Sequence, residues 1–236
     1  MTGEHSSKQY DMDLETIRSK VLLMGGLVES QFQDAVSAFR SGNVAQADQI
    51  IKADENVNNL EVSLDDACSH LIVKRQPAAN DLRTVMATIK VITDLERVGD
   101  ESTKIARAAK SISERGVTAI NHYETIRVMA ASAGNMLHDA LDAFARLDGK
   151  QAIKLIAQDE AVDHEFRSIM RALITFMMED PRTISGALDT LWVAKAIERI
   201  GDHAKNIAEY VIYIVEGKDI RHTDYAVSRL DERTAS

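Results

Sequence analysis

The chain reads as an all-α protein: two pseudo-symmetric three-helix bundles (six helices) that arose from an internal duplication. Three observations predict this. First, Pro occurs twice in 236 residues and aromatics make up 5%, while Ala, Leu, Ile, Glu and Asp abound. That balance favours helix and disfavours a β-sandwich. Second, apolar residues repeat at alternating four- and three-residue spacing, the seam of helices packed nearly parallel or antiparallel. Third, Leu95-Glu96-Arg97-Val98-Gly99-Asp100 returns 102 residues later as Ile197-Glu198-Arg199-Ile200-Gly201-Asp202. A shared order of Glu, Arg, Gly and Asp between aliphatic residues marks a repeat.

Each element follows from local signals. Residues 1–10 are polar and read as a disordered tail, without the apolar core of a secretory leader. A helix is predicted over 13–40, with Val21, Gly25, Val28, Phe32, Ala35 and Phe39 on its seam. Ser41-Gly42-Asn43 ends it. The second helix covers 44–74 and stops at Gln76-Pro77, because the residue before proline avoids helical geometry. Asn80 or Asp81 is expected to cap the third, which runs to residue 114 before Gly116. The second half repeats the plan over 122–147, 151–178 and 184–216, with turns at Asp148-Gly149 and Glu179-Asp180-Pro181 and a stop at Gly217. A shift of 105 residues lays Val21 on Ile126 and Phe32 on Leu137; the shift of 102 at the third helix places a three-residue deletion in a connection. The resulting domains are a first bundle over 11–118, a second over 119–220 and a tail over 221–236.

Composition excludes several classes. A net charge of −9 gives no general electrostatic reason to bind nucleic acid or an anionic membrane. No apolar run reaches the ~18 residues of a membrane span. A lone Cys68 cannot form an intrachain disulfide and fits a reducing cytoplasm.

The repeated motif carries the candidate chemistry. Glu96 and Asp100 stand one helical turn apart, as do Glu198 and Asp202. On a helical wheel both pairs lie roughly 110–150° from the apolar centre, at the edge of the core or beyond it. Carboxylates so close repel unless a cation intervenes. Gly99 and Gly201 each cost about 1 kcal/mol relative to Ala in a helix interior. A small residue there lets a neighbouring backbone or a ligand approach. Asp54 on the second helix corresponds to Asp159 on the fifth, and Asp163 adds a further acid where the first half has Asn58. All-oxygen donors suit hard cations or iron. On the residues alone two readings stand, a solvated charged face and a cation site. His203 points about 100° away from Asp202 on a helix and is expected outside the ligand set. No Glu-x-x-His occurs, so the di-iron pattern of ferritin-like bundles is absent. Arg75, Arg83, Arg97 and Arg199 are candidates for an anion or a partner's acids, or ordinary helix-end charges. Trp192, Met170, Met177 and Met178 are expected in packed positions. No Ser/His/Asp or Cys/His arrangement points to a nucleophilic enzyme.

Four segments carry a resemblance: Arg75-Gln76-Pro77-Ala78-Ala79-Asn80-Asp81-Leu82-Arg83, Asp94 to Asp100, Ile197 to Asp202, and Gly217-Lys218-Asp219-Ile220-Arg221-His222. Over about residues 8–222 the chain resembles the PhoU family of bacterial phosphate-signalling regulators. The resemblance implies six helices in two bundles and surface metal sites. Glu96 and Asp100 would serve one, Glu198 and Asp202 the other, with Asp54, Asp159 and Asp163 as donors from adjacent helices. Iron, zinc, magnesium and manganese are the metals it implies. It further implies a cytoplasmic, non-enzymatic negative regulator of the phosphate-starvation response. Such an adaptor links the phosphate transporter PstSCAB, through its ATPase PstB, to the sensor kinase PhoR and the response regulator PhoB. It limits phosphate uptake and forms a homodimer. No nucleic acid and no membrane insertion are expected, though association with membrane complexes is. The rival readings are a metal-dependent phosphatase-like enzyme and a purely structural helical interaction protein.

Overall fold

The computed structural model describes residues 2–115, 123–221 and 223. In the first bundle, α1 (Thr2–Ser41), α2 (Val44–Arg75) and α3 (Ala79–Glu114) pack on one another. In the second, α4 (Tyr123–Arg146), the pair α5 (Gly149–Ile156) and α6 (Asp159–Glu179), and α7 (Ile184–Glu216) do the same. No strand occurs among the described residues.

The predicted seam residues form the core. Val21, Gly25, Val28, Phe32, Ala35 and Phe39 are buried on α1, and Ile126, Ala130, Ala133, Leu137, Ala140 and Phe144 on α4. The two bundles lie side by side, α3 against α7 and α1 against α4. At the second contact a Cβ on Gly25 would stand 2.6 Å from Leu141 Cδ2, so a larger residue there would make the Leu141 side chain shift. Arg18 fastens the same contact by donating to the Ala145 carbonyl at the end of α4 (2.7 Å). Asn43 caps α2 by accepting from the Gln46 amide, and Gln76, with φ 48°, closes it in the left-handed region ahead of Pro77.

Four expectations are corrected. Residues 2–10 are not a tail: α1 begins at Thr2, and Tyr10 is buried with its hydroxyl donating to the Asp81 carbonyl. An apolar ring with one satisfied polar tip fits there better than the surrounding polarity promised. The helix expected over 151–178 is broken by a turn at Ala157-Gln158 into α5 and α6. Neither Asn80 nor Asp81 caps α3; Ala78 holds that position without a side-chain bond. In the second half the equivalent turn is the 3-10 helix Pro181–Thr183, opened by the Asp180 side chain. Finally, Trp192 and Met178 are not packed but exposed, 68% and 80%. Gly116, residue 122 and, of the expected C-terminal tail, residues 222 and 224–236 lie outside the described residues.

Candidate functional site

The wheel argument holds in three dimensions. Glu96, Glu198 and Asp202 sit half-buried at the margin of the core, and Asp100 is exposed. In the second bundle, α6 and α7 bring the acids together. Carboxylate oxygens of Asp163, Glu198 and Asp202 all lie within 4.8 Å of one another, the one such trio among the described residues. Asp159 lies close enough for its charge to act on Asp202.

Cations of the protein already answer part of this charge. Lys205 donates to Asp159 at 2.6 Å, Arg167 to Asp163 at 3.1 Å, and Lys195 to Glu198 at 2.5 Å. Asp202 forms no ion pair among the described residues. Burial, then the charges of Glu198, Asp159 and Asp163, push its carboxyl up to about 6, against the pull of Lys195. The arrangement is a carboxylate that ionises reluctantly until positive charge is added beside it.

The first bundle assembles a looser cluster on α2 and α3. The Glu96 carboxyl is raised by burial and then by the charges of Asp100, Glu61 and Asp54, with Arg97 opposing. Glu61 is raised by burial and then by Asp65 and Asp100. Asp54 accepts from the Gln31 amide at 2.9 Å, where its counterpart Asp159 has an ammonium. Sequence reasoning missed Glu61. It stands seven residues after Asp54 on the same face, but the 105-residue shift lays it on Phe166, so a search for duplicated acids passes over it. Both motif aspartates, Asp100 and Asp202, open on one cleft of 1260 Å³, which Arg97, Asp163, Arg199 and Asn206 also line.

The motif glycines serve helix packing. A Cβ on Gly99 would meet Asp54 Oδ1 at 3.1 Å and Val57 Cγ1 at 3.3 Å; on Gly201 it would meet Val162 Cγ1 at 3.4 Å. The neighbouring helix, rather than a ligand, occupies the space each leaves. The other polar candidates have structural partners. Arg75 grips Asp13 through Nε and Nη2, and Arg199 donates to Glu101 at 3.2 Å. Arg83 stacks on the Tyr213 ring. His203 turns from the acids, as expected, and its Nδ1 lies 2.7 Å from buried Asp94. Arg97 stays exposed beside the first cluster.

These features define a class: a duplicated helical-bundle protein that carries a matched carboxylate cluster on the third helix of each half. The PhoU domain model matches residues 21–109 and 126–211. The phosphate-specific transport system accessory protein PhoU homolog of Pseudomonas putida is 45% identical, over 92% of this chain and 85% of that protein. The accessory protein PhoU of Escherichia coli K12 is 44% identical, over 93% and 90%. The crystal structure of PhoU from Pseudomonas aeruginosa superposes with a TM-score of 0.86 at 43% identity, covering 89% of this chain and all of that one. A phosphate transport system regulatory protein PhoU from Streptococcus pneumoniae gives a TM-score of 0.81 at 27% identity. The chain belongs to the PhoU family, which supports a role in the phosphate system.

Proposed function

We propose that this protein is a cytoplasmic, non-enzymatic negative regulator of the phosphate-starvation response. It acts as an adaptor between the transporter PstSCAB, through PstB, and the PhoR/PhoB two-component system, and it limits phosphate uptake as a homodimer. The observation that carries this reading is identity of about 45% to transport accessory proteins across nearly the whole chain. No helix among the described residues is long and apolar enough to cross a membrane. An adaptor of this kind works by binding two states of its partners with different affinity, which needs surface rather than catalytic groups.

The acid clusters belong to the same reading as cation sites. The donor set fits: three carboxylates within 4.8 Å, one of them with its pKa raised to about 6 by burial and then by its neighbours' charges, form an all-oxygen nest for a hard cation. Asp163, Glu198 and Asp202 would hold the ion in the second bundle, with Asp159 beside them. Glu96, Asp100, Asp54 and Glu61 would hold it in the first. The cation supplies charge neutralisation. Iron, zinc, magnesium and manganese all remain within the donor chemistry, zinc least so without His or Cys. Deletion of the gene in a strain with a phosphate-responsive reporter tests the function. The reporter is expected to fire in phosphate-rich medium; a silent reporter overturns the regulator. Steady phosphate-ester turnover that disappears with Asp202→Ala would place the protein among enzymes instead.

A further inference from the structure

The most deeply buried carboxylate among the described residues is Asp94 on α3, 2% exposed. Among the described residues its hydrogen-bond partners come from α7. His203 Nδ1 lies 2.7 Å and Asn206 Nδ2 3.2 Å from its Oδ1, and the Tyr210 phenol stands beside it. Two helical turns along, Glu101, 5% exposed, accepts from Arg199 of α7 and from Lys104. Asp94 with His203 and Glu101 with Arg199 cross the seam in opposite chain directions, so the two helices are pinned at two levels. The duplication did not supply this arrangement, because the α7 residue matching Asp94 is Ala196.

Each pin neighbours a cluster acid in the chain. Asp94 precedes Glu96 by two residues and Glu101 follows Asp100; Arg199 follows Glu198 and His203 follows Asp202. A helical turn that moves to close around a cation therefore moves a pin as well. We propose that Asp94, His203 and Asn206 form a latch that holds the two bundles in one arrangement and so sets the placement of one carboxylate cluster relative to the other. Breaking the latch frees the bundles to change angle, since a buried carboxylate without its donors favours water over the seam.

Spin labels at Lys52 on α2 and Arg171 on α6, in a Cys68→Ala background, report the distance between bundles. The unaltered latch gives one narrow distance distribution. His203→Phe and Asp94→Leu broaden it to at least about twice the width while helicity is retained. His203→Gln keeps an N–H for Asp94 and keeps the narrow distribution; Lys110→Ala, which breaks a pair inside the first bundle only, leaves it unchanged. A distribution equally narrow in His203→Phe and Asp94→Leu overturns the latch. The consequence for cations rests on the metal reading and is measured separately with Mn²⁺. Occupancy of the first cluster shifts the affinity of the second by about fivefold or more, a typical coupling between linked sites. That shift disappears with His203→Phe. Failure to bind Mn²⁺ at all removes the metal reading and leaves the label distances to decide the latch.

Discussion

The two halves carry the same motif and make different surroundings for it. In the second, α6 brings Asp163 and Asp159 against Glu198 and Asp202, and three lysine or arginine side chains lean in. In the first, Asn58 takes the place of Asp163, Glu61 reaches in from the next turn of α2, and a neutral glutamine holds Asp54. A duplicated sequence therefore fixes where acids stand on a helix, while the facing helix decides how tightly they gather. The tighter cluster stores more repulsion. On the proposed cation reading, it is also the one a cation would relieve more.

Cation addition should expose this difference most strongly. At a free concentration a hundredfold above Kd, one bound ion stabilises the fold by about 2.7 kcal/mol. Thermal unfolding with added Mn²⁺ is expected to show that rise in the unaltered protein. Replacing Glu198 and Asp202 together with Ala should abolish most of it, and replacing Glu96 and Asp100 should remove the smaller part. Equal losses would break the asymmetry, and no rise in either protein would remove the cation from both clusters.

Without a cation, the same cluster has a pH signature. The Asp202 carboxyl titrates near 6 in the fold and near the ordinary value of about 3.9 when unfolded. Its ionised form is therefore the disfavoured one in the folded protein. Its contribution to stability is largest below pH ~4, falls as pH rises towards 6 and levels off above. Solvent reaches part of this side chain, so the fall is about 1 kcal/mol rather than the full value of the shift. Asp202→Asn is expected to flatten that slope and to raise cation-free stability at pH 8 by about the same amount. Asp100→Asn, at an exposed position, stays within about 0.5 kcal/mol. Urea unfolding between pH 4 and 8 in a chelating buffer reads both. A stability that rises from pH 4 to 8 for reasons traced to Asp202 would mean the cluster is already neutralised by Lys195 and its neighbours.

Much of this was legible beforehand. Heptad spacing located the core faces of α1 and α4, and the wheel placed Glu96 and Asp202 at the core margin, because both depend on local helical geometry alone. Contacts between helices were less so. Lys205 reaches Asp159 across 46 residues of chain, and nothing in either segment announces the pair. The helical angle separates His203 from Asp202, but does not reveal its partner Asp94, which belongs to the other bundle. The break at Ala157-Gln158 also has no sequence signal, since apolar periodicity continues through it. Tyr10 shows the opposite failure: a polar neighbourhood concealed one buried ring.

The motif glycines sharpen the comparison at its smallest scale. In either helix, Ala in place of Gly gains about 1 kcal/mol of intrinsic helix preference. Whether the gain survives depends on what the new methyl meets. At Gly201 the nearest atom is Val162 Cγ1 at 3.4 Å, with the next at 3.9 Å, an ordinary contact that the methyl can fill. At Gly99 three atoms crowd within 3.3 Å, and the nearest, Asp54 Oδ1, is held by Gln31, which is itself buried. Giving way there means loosening that hydrogen bond, which costs about 1 kcal/mol or more. Gly201→Ala should therefore stabilise the protein by about 0.5 kcal/mol, and Gly99→Ala should be neutral or destabilise it by a similar amount. Opposite signs in urea unfolding would sharpen the distinction between the halves. A stabilising Gly99→Ala would show that Asp54 is free to move, and with it the first carboxylate cluster.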